Sequence, residues 1–358
     1  MGDLGTTSIF YSAKPTVSIE NQVDPNLTDG LLNLLVEETT AGLFRCEATF
    51  GNWGSVNSGT GYVYFDRRIL DFGKILTIDS GEEETQAQIF KGYITGIEAQ
   101  YPKTRPPEIV ILAEDRFQDL RMTRRSRSFE DINDRDVIQQ IASEHGLRTE
   151  IDVDGPNYDL LVQVNQSDLA FLRERAVSID AEIWIEEDTI HAQARSRRNT
   201  GRITLTYGQG LIEFSVLADL AKQRTSLIVS GWDVESKEGI EHEASESAIS
   251  GELNNHQSGG VLLQNAFGQR KERLVHLVPH TLQEAHFLSE SHYRMMARRF
   301  LTGYGIAEGD GNIKVGASIE LNGLGELFDG EYYICEARHT FDQQNGYRTY
   351  FGVERPGL

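Results

Sequence analysis

The chain has 358 residues, 39% of them hydrophobic and 25% charged, with a formal net charge of −21. Such a length suits two to four folded units with sizeable cores and no need of staples. The acidity argues against tight, non-specific nucleic-acid binding, no stretch approaches the ~18 apolar residues that cross a bilayer, and the opening Met-Gly-Asp-Leu-Gly-Thr-Thr lacks the basic and apolar segments of a secretion leader, so cytoplasmic synthesis without stable membrane insertion is expected.

Residues 1–120 read as strands and are expected to form a first β-barrel. Val17 and Ile19, then 31–36, are β-prone, and 43–50 alternates with Phe44, Cys46, Ala48 and Phe50 on one face. The Gly/Ser/Asn-rich stretch 51–61 reads as a loop. Further strands follow at 73–78, 90–99 and 108–113, interrupted by Pro102, Pro106 and Pro107.

Residues 121–200 read as an α/β insert with two helices. A short helix at 115–122 leads into the basic cluster Arg121, Arg124, Arg125 and Arg127. Val137, Ile138, Ile141 and Ala142 form one face of a helix over 134–145, which Gly146 stops. Ser167 caps a second helix over 167–179, with Asp168 at its positive end and Leu169, Leu172, Ala176 and Ile179 as the buried stripe. A hairpin at 181–185 and 189–194 closes the insert.

Residues 201–358 are expected to form a second barrel. Strands are predicted at 203–207 and 227–234. The acidic, Ser/Glu-rich run 235–260 is expected to be a mobile loop or a long excursion. Thr281 and Glu284 make a capping box for a helix over 281–300, with Ala285, Leu288 and Met295 inward. Strands at 318–321, 331–339 and 347–354 end the chain.

The two β regions echo each other. Phe90, Gly92, Glu98 and Ala99 match Phe328, Gly330, Glu336 and Ala337 without gaps. A strand opening at a glycine precedes each copy (Gly73 and Gly316), and a strand ending Ala113-Glu114 or Val353-Glu354 follows it. Duplication of one small barrel explains this order; chance likeness between short hairpins is the alternative. Three chains with two like barrels each would present six units around one axis, so a duplicated chain can match a three-fold object to a six-fold one.

The stretches R-R-S-R-S-F-E-D at 124–131, I-A-S-E-H-G-L at 141–147, Q-V-N-Q-S-D-L-A-F-L-R-E-R-A at 163–176 and G-V-E-R at 352–355 resemble the phage late control D family, the baseplate hub of contractile phage tails and related injection systems. The fold class expected is β-dominated α+β: two similar tail-hub barrels with the insert between them. The resemblance implies a homotrimeric ring with a central duct. The ring's partners would be a trimeric spike, the hexameric tail tube or a tube-initiator protein, and other baseplate proteins, in a virion tail baseplate or contractile injection particle. Many relatives continue into an oligosaccharide-binding-fold domain and a β-helical spike. Since the sequence stops at Leu358, the expectation is a hub whose spike is a separate protein. No basic recognition helix or zinc spacing points to specific nucleic-acid binding.

No catalytic, metal or cofactor residue is predicted. His280, His286 and His292 recur every six residues, so their rings point ~120° apart around a helix and cannot converge on one ion. Glu241-His242-Glu243 stands alone. There is no G-x-S-x-G elbow, and neither cysteine has a nearby histidine, so both read as buried free thiols. Gly303, Gly305, Gly309 and Gly311 read as turn glycines without a P-loop lysine. The arginine cluster has two readings: a solvated face paired with local carboxylates, or a contact to an acidic neighbour, for which arginine's planar fork is suited. Two other functions stay open: a carbohydrate- or host-surface-binding β protein, for which Trp53 is the candidate aromatic, and a tail-borne cell-wall hydrolase, which needs an acid of raised pKa and a partner across a cleft.

Overall fold

The computed structural model describes residues 14–56, 59–81, 87–233 and 236–358. The opening heptapeptide, and Glu235 at the start of the acidic run, lie outside them.

The first β region comprises β1 (Thr16–Ile19), β2 (Gln22–Val23), α1 (Pro25–Gly30), β3 (Leu31–Thr39), β4 (Arg45–Gly51), β5 (Trp53–Val56), β6 (Gly59–Tyr62), β7 (Ile75–Ser80), β8 (Ala87–Gln100) and β9 (Glu108–Glu114). Alternation buries Leu34 and Val36, Cys46, Ala48 and Phe50, Leu76 and Ile78, and Ile109, Ile111 and Ala113 in one core. The expected loop at 51–61 instead holds the β5–β6 hairpin. Trp53 faces Tyr62 across it with ring centroids 5.3 Å apart, a cross-strand aromatic pair that offsets the poor β propensity of its glycines.

The insert comprises α2 (Phe117–Arg121), β10 (Arg124–Asn133), α3 (Asp134–Glu144), β11 (Arg148–Asp152), β12 (Asn157–Ser167), α4 (Asp168–Ser178), β13 (Ala181–Glu186) and β14 (Thr189–Ala194). Both longer helices start at a side-chain cap, of which the sequence predicts Ser167. Asn133 accepts from the Asp136 N–H, and Ser167 from the Ala170 N–H. Val137, Ile138, Ile141, Leu169, Leu172 and Ala176 share one core.

The second β region comprises β15 (Arg202–Tyr207), β16 (Gly210–Ala218), β17 (Ser226–Asp233), β18 (Glu238–Ser245), α5 (Gly259–Phe267), β19 (Lys271–Leu274), α6 (Leu282–Arg298), β20 (Leu301–Glu308), β21 (Ser318–Asn322), β22 (Gly330–Asp342) and β23 (Gly346–Arg355). The run 235–260 is not a mobile loop where it is described. β18 pairs with β17, and Ile240, Ala244, Ile249 and Leu253 are buried. Four apolar residues spaced through an acidic stretch suffice to seat it against α6; Glu241 and Glu243 point outward, while Glu252 turns in to pair with Arg298.

The β-dominated α+β class holds, but the two β regions differ in closure. β15-β21-β22-β23-β20-β16 closes into a six-stranded barrel, with β16 returning to β15 through Thr206–Gly210 and Tyr207–Leu211. The corresponding sheet β1-β7-β8-β9-β4-β3 stays open, since β1 and β3 share no register. β15 runs parallel to β21, whereas β1 runs antiparallel to β7 and has only four residues. The fully buried Leu27 of α1 packs into the open sheet's core.

Five strands repeat with matching registers. β8 bulges at Thr95, between Ile94 and Gly96, and β22 bulges at Cys335, between Ile334 and Glu336. β3 bulges at Leu32 and β16 at Ile212. Such bulges are positional features of a fold. Aligning them equates Ile94 with Ile334, Tyr93 with Tyr333, Glu114 with Glu354 and Leu31 with Leu211. This lies two residues from the match read in sequence at Phe90 and Phe328. A slip of two keeps every side chain on its face, so sequence alone cannot detect it. The pairing of the flanking glycines is kept. Gly73 and Gly316 both have positive φ, and each donates its N–H to the carbonyl of the equivalent isoleucine, Ile94 at 2.9 Å and Ile334 at 3.0 Å.

These glycines should respond differently to a methyl group. A Cβ at Gly73 meets nothing within 4 Å, so Gly73→Ala should cost about 1 kcal/mol of backbone strain. At Gly316 it lies 2.4 Å from Arg198 Nε. Gly316→Ala should therefore cost about 2 kcal/mol more, by displacing a buried, paired guanidinium. Urea unfolding of both variants checks this; equal losses would contradict it.

Candidate assembly interface

Most strand edges in the main sheet are internally paired, and one pairing joins the two β regions. The outer half of β22 runs antiparallel to β3, with Glu336 opposite Thr39, Arg338 opposite Glu37, His339 opposite Val36 and Phe341 opposite Leu34. The first half of β22, up to Tyr333, pairs with β21 on the same side. β22 thus belongs to its own barrel at one end and to the open sheet at the other. Phe341 and Tyr347 bury into the first region's core, not their own.

The junction's two faces differ. On the core side Leu34, Val36, Ala337 and His339 are buried. On the other, Arg338 bonds Glu37 at 3.0 Å and Glu336 at 2.8 Å, and Arg45 also pairs with Glu37. That outer face forms a shallow hollow on each region. One, of about 450 Å³, includes Leu35, Glu37, Glu47, Leu112 and Glu114. Its equivalent, of about 530 Å³, includes Glu213, Ser215, Tyr304, Glu336 and Arg338.

A buried ionic cluster ties the insert to this junction. Arg198 reaches Glu182 at 2.7 Å, lies 3.9 Å from Glu38 and stacks on Trp184 at 4.0 Å. Arg195 pairs with Glu354 at 2.7 Å. Arg298, itself buried, clamps Asp180 and reaches Glu252 at 2.6 Å. These arginines come from R-S-R-R at 195–198 and from the end of α6, and sequence reading passed over both. A second arginine run in so acidic a chain was the available signal.

Two carboxyls have pKa values raised to about 7, Glu38 and Asp115. Burial is the larger cause in each, only partly offset by Arg198 and the Val315 N–H at Glu38, and by the Phe44 and Phe117 N–H groups at Asp115. Both line the cleft between insert and open sheet. Asp115, however, accepts from Phe44 at 2.8 Å and Phe117 at 2.9 Å, and Glu38 accepts from Val315 at 3.0 Å. They brace backbone where units meet. Ser289, His242 and His286 also form a chain, at 2.7 and 3.1 Å, but Ser289 is fully buried and its hydroxyl donates to the His286 carbonyl. Among the described residues no three His, Cys, Asp or Glu side chains are grouped to hold a metal ion, and no helix is long and apolar enough to cross a membrane.

The predicted arginine cluster divides. Arg125 and Arg127 converge on Glu144, at 2.8 and 2.7 Å, and on Asp168, at 3.3 and 2.9 Å. Burial pushes the Asp168 carboxyl up, but hydrogen bonds from His145 and Gln163 and the two guanidinium charges bring it below the usual carboxylate range. Arg121 stands apart, paired with Glu114 beside the outer hollow. Arg124 donates to the Asn165 carbonyl at 2.9 Å.

This fold, an edge-joined pair of like β regions with an α/β insert bracing the joint, matches solved structures of phage tail proteins. The 43 kDa tail protein of prophage MuSo2 from Shewanella oneidensis matches with a TM-score of 0.68 over 96% of this chain and 98% of its own, at 12% identity. The tail protein from Neisseria meningitidis MC58 matches at 0.69 over 96% and 97%, at 9% identity. The E. coli c3393 protein, a component of the type VI secretion system, matches at 0.61 over 95% and 76%, at 12% identity. The resemblance to contractile-tail hubs read from the sequence thus agrees with the fold. The chain belongs to the Alg8 N-terminal domain family, whose model matches residues 55–343. No curated protein matches it.

The junction should carry a pH signature. Burial lowers the His339 pKa to about 4, its bond to the Ile313 backbone offsetting only part. An exposed imidazole titrates near 6.5. The unfolded chain therefore binds the proton more tightly: stability is complete above about pH 6.5 and is lost as pH falls toward 4. The shift is worth on the order of 3 kcal/mol. Going from about pH 7 to about pH 4.5, wild type should lose urea stability relative to His339→Gln; parallel profiles would contradict the assignment.

Proposed function

We propose that this chain is a structural, non-enzymatic hub in the baseplate of a contractile tail or related injection system. Three copies form a ring of six like β units. The ring joins a hexameric tail tube to a trimeric spike and leaves a central duct.

One observation carries the reading: a five-strand unit occurs twice in one chain with its bulges in register, and its two copies are joined edge to edge. A chain that repeats its unit and leaves one edge of each joining kind without a strand partner among the described residues has the parts of a cyclic assembly. The fold shared with phage tail proteins and a type VI secretion component supports the setting. The outer face bearing Glu37, Glu47, Glu98, Glu213 and Glu336 would line the duct, where an acidic wall does not hold nucleic acid. Arg121, Arg124, Arg125 and Arg127 remain candidate contacts to an acidic neighbour. Arg124, which donates to the neutral Asn165 carbonyl, is the foremost of them.

Mass measurement in solution, alone and with a trimeric spike protein of the same particle, tests the reading. The expected mass is three times that of the 40.2 kDa chain. A chain that stays monomeric in both conditions would sink it.

A further inference from the structure

The internal joint of the two β units has two exposed counterparts, one in each β unit. β8 is equivalent to β22. Its first half pairs with β7 as that of β22 pairs with β21. Beyond the bulge, β22 goes on to pair with β3, whereas the same side of Gly96–Gln100 in β8 has no strand partner among the described residues. β16 is equivalent to β3. One side of β16 pairs with β20; on the other, only Gly210 and Leu211 pair, with β15. Each unit therefore has one outward-facing edge of each kind, and within the chain one of each has been used.

Burial tells the same story. Phe341, which the joint buries to 9% exposure, is equivalent to Tyr101, which is 63% exposed. His339, at 3%, is equivalent to the exposed Ala99. Beside Tyr101 lie Tyr62 and Trp53, themselves 44% and 47% exposed, so the free edge ends in an aromatic patch. A long unpaired edge beside apolar side chains is an aggregation hazard unless a strand covers it.

We infer that the free edge of β8 in one copy of this chain pairs antiparallel with the free edge of β16 in the next, in the register of the internal joint. Transferring the observed β22–β3 pairs through the bulge alignment places Gly96 opposite Asp219, Ile97 opposite Ala218, Glu98 opposite Leu217, Ala99 opposite Val216, Gln100 opposite Ser215, and Tyr101 opposite Phe214. The occupant is a second copy because, among the described residues, the strand found on such an edge is its own equivalent. The chemistry of the edges agrees. Ile97, Ala99 and Tyr101 meet Ala218, Val216 and Phe214 on the core side. Gly96, Glu98 and Gln100 meet Asp219, Leu217 and Ser215 on the other, and no like charges oppose. A slip of one residue would turn apolar residues to the wrong face, and a slip of two in one direction would set Glu98 against Asp219. The contact is head-to-tail, so it closes into a ring or runs on as a filament according to the rotation per step. Closure at three chains rests on the hub reading.

The test uses the full chain with cysteines on the exposed face of the two edges. A mixture of Gln100→Cys and Ser215→Cys chains, mildly oxidised, should give a covalent heterodimer that neither chain gives alone. The double variant should give a ladder ending at the assembly's copy number. Gln100→Cys with Leu217→Cys is the off-register control; residues diagonal across a sheet lie about 7–8 Å apart, too far for a disulfide. Native Cys46 and Cys335, whose thiols burial pushes up, should leave the wild-type chain uncross-linked. Tyr101→Glu, at a side chain exposed in the single chain, should lower the mass to 40.2 kDa without changing the melting temperature. Trimers that fail to cross-link in register, that cross-link equally off register, or that survive Tyr101→Glu would overturn the pairing and leave the ring intact. A chain that is monomeric throughout would overturn both.

Discussion

The pairing of β3 with β22 is the constraint on which the rest of the molecule depends. Without it each β region would expose an edge of unpaired N–H and C=O groups beside buried-type side chains, a hazardous surface for any protein. With it the two regions become one thirteen-stranded sheet. The pairing also explains the placement of the buried charges. Glu38 lies on β3, Glu354 on β23 and Glu182 on the insert, and Arg195 and Arg198, from the link between insert and second barrel, reach all three. A buried ion pair is weak evidence for stability, since desolvation can cancel the attraction. Losing one partner is another matter, because it leaves a charge uncompensated in the interior. Such a cluster penalises any arrangement of the three units other than this one.

Closure of one sheet and not the other follows from how the chain enters each. β15 comes out of the insert parallel to β21, and a tight turn at Gly208 and Gly210, both of positive φ, brings it back beside itself as β16. β1 enters antiparallel to β7, and α1 with its buried Leu27 lies between it and β3. The five remaining strands keep the same order and direction, and the bulges of β3 and β8 recur in β16 and β22. The duplicated part is therefore the part that carries the two joining edges, and β15 touches the joining edge of β16 only at Gly210 and Leu211.

Much of this was legible in the sequence, for definable reasons. Helix starts were readable because Ser167 and Thr281 satisfy orphan N–H groups in place, at Ala170 and Glu284. The duplication was readable from its glycines and order, but not in register, because alternation hides a slip of two. The run 238–253 misled because its composition is that of a solvated loop while a few spaced apolar residues fix it. The β5–β6 hairpin misled because Trp53 and Tyr62 meet only across strands. Arg121, Arg124, Arg125 and Arg127 were visible as a cluster, but sequence could not show that Glu144 and Asp168 fold back onto two of them. The edges themselves have no local signature. An unpaired strand has the same residues as a paired one, and only the topology reveals which neighbour is missing.

A joint inside the chain and its proposed equivalent between chains share geometry but differ in how they form. The internal joint closes a loop, so its partners meet at the high effective concentration set by the connecting chain. The external joint must recruit a separate molecule and offset the translational and rotational freedom that is lost. The same strand pairing would then be permanent in one place and concentration-dependent in the other. The differences in burial fit this division. The internal joint is backed by Phe341 and His339 in a shared core and by the arginine cluster beneath. The outer edges offer small or polar residues at Gly96, Ala99, Ser215 and Ala218, with one aromatic pair, Tyr101 and Phe214. A chain built this way would fold as a stable pair of units first and add copies second, which would separate its folding from the timing of the proposed assembly.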